Sequence, residues 1–108
     1  MLKSHFHFIG IGGIGMSAIA MGLLKKGYSV SGSDLAKNNE TNQLEKLGAI
    51  IFTSQVPQNI EFITSKFNNK LINYVVSSAI KSDNEEFSYC RKKNLRYCTK
   101  FSMISNLG

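Results

Sequence analysis

A chain of 108 residues has room for one domain and one core, and is short for an enzyme holding two substrates. With 43% hydrophobic and 19% charged residues it is globular in composition, which excludes a disordered chain. The net charge of +6 suits an anionic ligand, but the cations are dispersed and no basic stripe with interleaved aromatics marks a nucleic-acid surface.

Phe6 to Ile11 alternates and then saturates with apolar residues, as a strand buried on both faces does. His5 and His7 stand at i, i+2 and share a face of it. With no third ligand in sight, His7 reads as a hydrogen-bonded histidine lining the sheet rather than a metal ligand. Gly10, Gly12 and Gly15 follow at GxGxxG spacing. Ile14 to Lys26 then carries Ile14, Ala18, Ile19, Met21 and Leu24 at helical spacing, with Gly27 as its stop. Met16 and Met21 read as core, and Gly22 as a point of close packing against the sheet. Phe8 to Leu24 is a run of 17 uncharged residues, but five are glycine and a membrane span needs roughly 20. A signal peptide is disfavoured because the periodic pattern continues past it.

Tyr28 to Gly32 is the second strand, ending in Ser33 and Asp34; Asp34 lies 19 residues past Gly15. Asn38 to Asn42 leads into a short helix through Leu44 and Leu47, closed by Gly48, and Ala49 to Phe52 makes a third strand. Ile60, Phe62, Ile63 and Phe67 suggest a short helix between Pro57 and Asn69. Leu71 to Val76 is a fourth strand, ending in Ser77, Ser78 and Ala79. Ser82 with Glu85 predicts a capping box that opens a helix through Phe87, Tyr89 and Cys90. Arg91, Lys92 and Lys93, the one tight basic run, read as its solvated C-terminus. Leu95 to Cys98 is a fifth short strand, and Phe101 to Leu107 begins another helix. Strands alternating with helices predict an α/β fold, a Rossmann-like open parallel sheet of about five strands with right-handed crossovers.

Ligands of such sheets collect outside the carboxyl ends of the strands. Three ends carry suitable chemistry. The turn at Gly12, Gly13, Ile14 and Gly15 offers backbone N–H groups to a diphosphate, against the alternative of a merely tight turn. Ser33 and Asp34 offer a carboxylate to a ribose hydroxyl and polar groups to a base edge, against a helix cap or loop ion pair. Ser77, Ser78 and Ala79 let a ligand approach the backbone and offer two hydroxyls, against an ordinary strand-end turn. Cys90 and Cys98, without CxxC or a His at ligand spacing, fit a reducing cytoplasm. No Ser-His-Asp order, paired catalytic carboxylates or GxxxxGK[ST] loop is present, so catalytic residues are expected to be none and the chain reads as a binder.

The run HFIGIGGIGMSAIA from His7 to Ala20, GYSVSGSD from Gly27 to Asp34, and VVSSAIKSDNEE from Val75 to Glu86 resemble the start of the UDP-N-acetylmuramate–L-alanine ligases of the Mur ligase family. The likeness covers about residues 5 to 90. It implies residues 1–108 as the UDP-binding N-terminal domain of a three-domain, ATP-dependent cytoplasmic ligase of bacterial peptidoglycan synthesis. It also implies that the chain ends before the central domain that holds ATP and Mg2+, so that this portion alone is inactive and holds no cofactor. The implied partners are UDP-N-acetylmuramic acid here, and L-alanine and ATP in the full-length enzyme, with no nucleic acid and no membrane. Carried onto this sequence, Ile11, Gly12, Gly13, Ile14, Gly15 and Met16 hold the diphosphate, Ser33 and Asp34 face the uridine, and Ser77, Ser78 and Ala79 line the same cleft. Three places depart from the family pattern: Ser54-Gln55 replaces a Gly-His pair, Glu85 replaces a helix-opening Pro, and Cys98 to Phe101 does not match the stretch leading to the central domain. The glycines and Asp34 equally satisfy an NAD-binding oxidoreductase domain, and a nucleotide-sensing module of a transporter carries the same strand-turn-helix.

Overall fold

Strands and helices alternate along the chain in the computed structural model, which describes residues 4–13 and 15–99. In order they are β1 (Ser4–Ile9), α1 (Met16–Lys25), β2 (Ser29–Ser33), α2 (Asn39–Lys46), β3 (Ile50–Phe52), α3 (Pro57–Lys66), β4 (Leu71–Val76), α4 (Glu85–Lys92) and β5 (Tyr97–Thr99). The sheet runs β3-β2-β1-β4-β5 with every pair parallel. The chain therefore builds outward from β1 on one side, then crosses back to lay β4 against its other side. The reversal of strand order falls between β1 and β4, where such sheets bind ligands.

Alternation along the strands divides the interior into two cores. Phe6, Phe8, Val30 and Val75 pack with Met16, Ala20, Leu23 and Leu44 under α1 and α2. Ile9, Tyr74 and Val76 pack with Ile60 and Cys90 under α3 and α4. This second face is apolar only along β4 and the end of β1. Its other half, His5, His7, Ser31 and Ser33, is polar and wholly buried.

Several boundaries differ from the expected ones for stated reasons. Gly10 (φ 88°) and Gly15 (φ 80°) are left-handed, so β1 stops at Ile9 and α1 starts only at Met16. Gly22 does not pack against the sheet: it is exposed, and an added Cβ would meet nothing within 4 Å. The capping box at Ser82 does not form. The cap is Asn84, whose side chain accepts the Phe87 N–H at 3.1 Å, so α4 begins at Glu85. α3 is a full helix with Pro57 in its first turn and Ile60 and Ile63 buried. The helix expected from Phe101 to Leu107 lies outside the described residues.

One polar atom of the second core is left over. The Tyr74 hydroxyl is buried and has no hydrogen-bond partner among the described residues, and burial beside Cys90 and Glu86 pushes its ionisation upward. An unsatisfied buried hydroxyl costs about 1–3 kcal/mol. Tyr74→Phe is therefore expected to gain up to about 1 kcal/mol after its packing change, read as a rise in the thermal midpoint; a lowered midpoint would refute this.

Candidate functional site

The turn after β1 is drawn tight by the end of β2. Ser33 C=O accepts both the Gly10 N–H (2.8 Å) and the Ile11 N–H (2.9 Å). The Gly13 N–H returns to Gly10 C=O and the Met16 N–H to Gly13 C=O, each at 3.1 Å. A side chain at Gly10 would be strained at its positive φ and would also meet Ser77 Cβ at 2.9 Å, so glycine is required there. Gly15 caps α1 without a side-chain hydrogen bond, and the helix has no acid in its first turn. Among the described residues no N-cap side chain satisfies that positive helix end.

Gly10, Gly12, Gly13, Asp34, Leu35, Gln55, Ser77, Ala79 and Ile80 line one cleft of about 290 Å³ at the carboxyl end of the sheet. The ends of β1, β2 and β4 thus meet around a common space. Asp34 Oδ2 accepts the Gly12 N–H at 2.8 Å, so a carboxylate already faces the glycine turn. Ser77 Oγ accepts the Ala79 N–H at 3.2 Å and keeps its own proton to donate.

Beneath the cleft lies a buried polar chain. Glu86 of α4 points into the sheet, where Oε2 pairs with His7 Nε2 at 2.6 Å and Oε1 accepts Ser33 Oγ–H at 2.5 Å. Gln55 donates to Ser33 Oγ at 3.4 Å and accepts from Asn84 Nδ2 at 3.0 Å. A carboxylate without solvent is retained where its oxygens are hydrogen-bonded, and here each oxygen has a partner. His7 behaves as the sheet-lining, hydrogen-bonded residue expected. Among the described residues no three His, Cys, Asp or Glu cluster as metal ligands.

Of the residues singled out from sequence, Gly12, Gly13, Asp34, Ser77 and Ala79 come together in the cleft. Ile11 and Met16 sit in the first core with their amides already used, and Ser33 is buried with its hydroxyl on Glu86. Ser78 is exposed and Gly15 starts the helix, both off the cleft wall; Ile14 lies outside the described residues. Leu35, Ile80 and Glu86 are not among the residues singled out from sequence, and Gln55 stands there only as the replacement for the family's His. Glu86 had a signal, since it stands four before Cys90 and so shares its inward face.

The strand order, the glycine turn at the reversal and the cleft above it define an α/β domain of the Rossmann type. Residues 5–107 match the family model described as "Mur ligase family, catalytic domain", and the chain belongs to the Mur ligase family. It is 67% identical over 93 residues to a UDP-N-acetylmuramate–L-alanine ligase of Prochlorococcus marinus subsp. pastoris, covering 86% of this chain and 20% of that protein. It is similar in structure to the UDP-N-acetylmuramate-alanine ligase MurC of Thermotoga maritima, with a TM-score of 0.79 and 28% identity over 95% of this chain and 22% of that one. A murein peptide ligase from Psychrobacter arcticus gives 0.80 and 25% over 94% of this chain and 20% of that one. The chain spans about a fifth of the length of the curated relatives it matches. These matches do not support the oxidoreductase or transporter-module readings. Among the described residues no helix is long and apolar enough to cross a membrane.

Proposed function

We propose that this chain is the N-terminal, UDP-binding domain of a UDP-N-acetylmuramate–L-alanine ligase. One observation carries the reading: in a chain of this family, the glycine turn, Asp34 and the Ser77–Ala79 turn converge on a single cleft at the strand reversal. The Gly12 amide and the first turn of α1 receive the diphosphate, with Ile11, Gly13 and Met16 holding the turn through amides already bonded within the chain. Asp34 meets the ribose or base, and a diphosphate reaching Gly12 takes over the N–H that Asp34 now accepts. Ser77 and Ala79 close the opposite wall.

In the full-length enzyme, ATP with Mg2+ supplies the phosphoryl group that activates the substrate carboxylate for attack by L-alanine. This chain has no GxxxxGK[ST] loop to hold ATP, so its residues bind and orient the UDP-sugar. Remote binding of that kind contributes by positioning rather than by acid–base chemistry. The thiols Cys90 and Cys98 are free, which fits the reducing cytoplasm. Calorimetry with UDP-N-acetylmuramic acid, UDP and NAD in parallel tests the reading. Both uridine ligands are expected to bind at least about tenfold tighter than NAD, a gap of about 1.4 kcal/mol. Tighter binding of NAD would overturn it.

A further inference from the structure

The polar half of the second core is one unbroken hydrogen-bonded line from the amino edge of the sheet to the cleft. Lys70 Nζ reaches Ser29 Oγ at 3.5 Å, and Ser29 Oγ reaches His5 Nδ1 at 2.7 Å. His5 Nε2 and His7 Nδ1 share Ser31 Oγ, at 2.8 and 2.6 Å, and His7 Nε2 ends on Glu86. His5, Ser31, His7, Ser33 and Glu86 are all removed from solvent, whereas Ser29 is only half-buried. His5 is stacked on Phe67 at 3.8 Å, and Phe52 and Tyr74 set their edges against His7 at 6.0 and 5.8 Å, walling off other routes.

The directions of these bonds follow from what each group can do. A lysine ammonium only donates and an ionised carboxylate only accepts. With neutral rings, every donor then points one way: Lys70 to Ser29, Ser29 to His5 Nδ1, His5 Nε2–H to Ser31, Ser31 to His7 Nδ1, and His7 Nε2–H to Glu86. From the cleft side Asn84 donates to Gln55, Gln55 to Ser33 and Ser33 to Glu86. Both arms converge on one carboxylate, directly under the residues that line the cleft.

We propose that His7 and Glu86 form a buried charge dyad coupled to the cleft, and that binding of a diphosphate above Gln55 and Ser33 draws one proton from solvent onto it. This rests on the nucleotide reading of the cleft given above. A proton arriving at Ser29 Oγ displaces the Ser29 hydroxyl proton to His5 Nδ1. His5 Nε2–H then passes to Ser31, and the Ser31 hydroxyl proton passes to His7 Nδ1. One proton enters and His7 becomes an imidazolium; the bonds between Ser29 and His7 reverse direction, and the dyad changes from −1 to neutral. The gain comes from removing a negative charge below an incoming anion, in a place where water does not screen it. On the cleft side, the amides of Gln55 and Asn84 transmit the field of the charge but relay no proton.

The groups facing His7 fit this assignment. On its own strand, burial, with His7 and Lys70 adding, holds His5 down to about 3, so it passes a proton on rather than keeping it. On α4, burial beside Glu86 pushes the Cys90 thiol up to about 12, and Tyr74 on β4 is likewise raised, so both stay neutral. Phe52 of β3 carries no charge, and Glu61 of α3 is turned to the Tyr89 hydroxyl at the surface. Asp34, at the end of β2, bonds to Gly12.

Calorimetric titration with UDP-N-acetylmuramic acid in buffers of different ionisation enthalpy reads the proton directly, because a pyrophosphate diester does not titrate near neutral pH. Net uptake is expected, with affinity about tenfold higher near pH 6 than near pH 8. In His7→Gln the buffer dependence is expected to vanish, whatever affinity remains. Binding with heat independent of buffer, or with unchanged uptake in His7→Gln, overturns this proposal alone. Absence of binding overturns the nucleotide reading and this one with it. Should His7→Gln not fold, imidazole 15N spectra of the unaltered chain decide. His7 is expected to carry a proton on Nε2 alone in the free chain and on both nitrogens in the bound one; no change on binding refutes the dyad.

Discussion

Replacing Glu86 with alanine is expected to remove about 3–5 kcal/mol of stability, because it leaves two buried donors unpaired and a cavity beneath α4. Three things go at once. His7 Nε2–H loses its acceptor, Ser33 Oγ–H loses its acceptor, and a side chain packed between α4 and the sheet becomes a hole. Against a total stability of about 5–15 kcal/mol this brings the chain close to unfolding. Glu86→Gln keeps the volume and one acceptor oxygen, and is expected to lose less than half as much. Urea unfolding of the two variants beside the unaltered chain gives the comparison. A loss below about 1 kcal/mol in the alanine variant would mean the polar line does not hold α4 to the sheet.

The same carboxylate explains why the cleft floor has its shape. Ser33 is pinned from both ends: its hydroxyl goes down to Glu86 and its carbonyl draws in the Gly10 and Ile11 amides. The residue after it, Asp34, is anchored by its own N–H on Phe52 C=O at 3.0 Å and so presents its side chain to Gly12. Position of the glycine turn relative to Asp34 therefore depends on a buried contact 53 residues further along the chain. At Gly32 the other face is equally tight, since an added Cβ would lie 2.6 Å from Ile11 Cβ. The turn is clamped from below by polar bonds and from one side by packing.

How much of this was legible follows from the range of each interaction. β4, read as Leu71–Val76, matches in full because a continuous apolar run between polar ends is a purely local signal. The strand-helix alternation and the parallel sheet followed from the same signals. Helix starts were harder: at Ser82–Glu85 the spacing was right for a cap, but Asn84 offers its oxygen to Phe87 N–H from one residue before the helix. Gly22 departs from the expected packing because its cost to a helix shows in the sequence while the direction it faces does not. The strand ends that line the cleft could be found, since each is a short polar or glycine stretch after an apolar one. The His7–Glu86 pair could not, because its members are 79 positions apart and local spacing contains nothing about a partner at that distance. Half the clue was visible, however. Ser29, Ser31 and Ser33 repeat every second residue, as His5 and His7 do, and two facing polar stripes in a buried sheet require a charge or a donor line to satisfy them.

His5 leads to the second large effect, on acid stability. Its ring is buried, stacked on Phe67 and hydrogen-bonded to two serines, and burial holds it down to about 3 from its usual 6.5. The folded chain therefore binds fewer protons at this site than the unfolded chain does. The resulting stability is complete above about pH 6.5 and is lost as pH falls from there toward about 3. Between pH 7 and about pH 4.5 the expected loss from this one ring is about 2–3 kcal/mol, the linkage value for a group held at about 3 when folded and at 6.5 when unfolded. His5→Phe keeps a ring over Phe67 but has nothing to protonate, so its stability should fall less steeply over the same interval, whatever its value at pH 7. Urea unfolding of both chains at the two pH values isolates the difference, since surface carboxylates contribute equally to each. Parallel acid limbs would show that His5 is protonated without cost, and that the buried line tolerates a charge at its middle as readily as at its end.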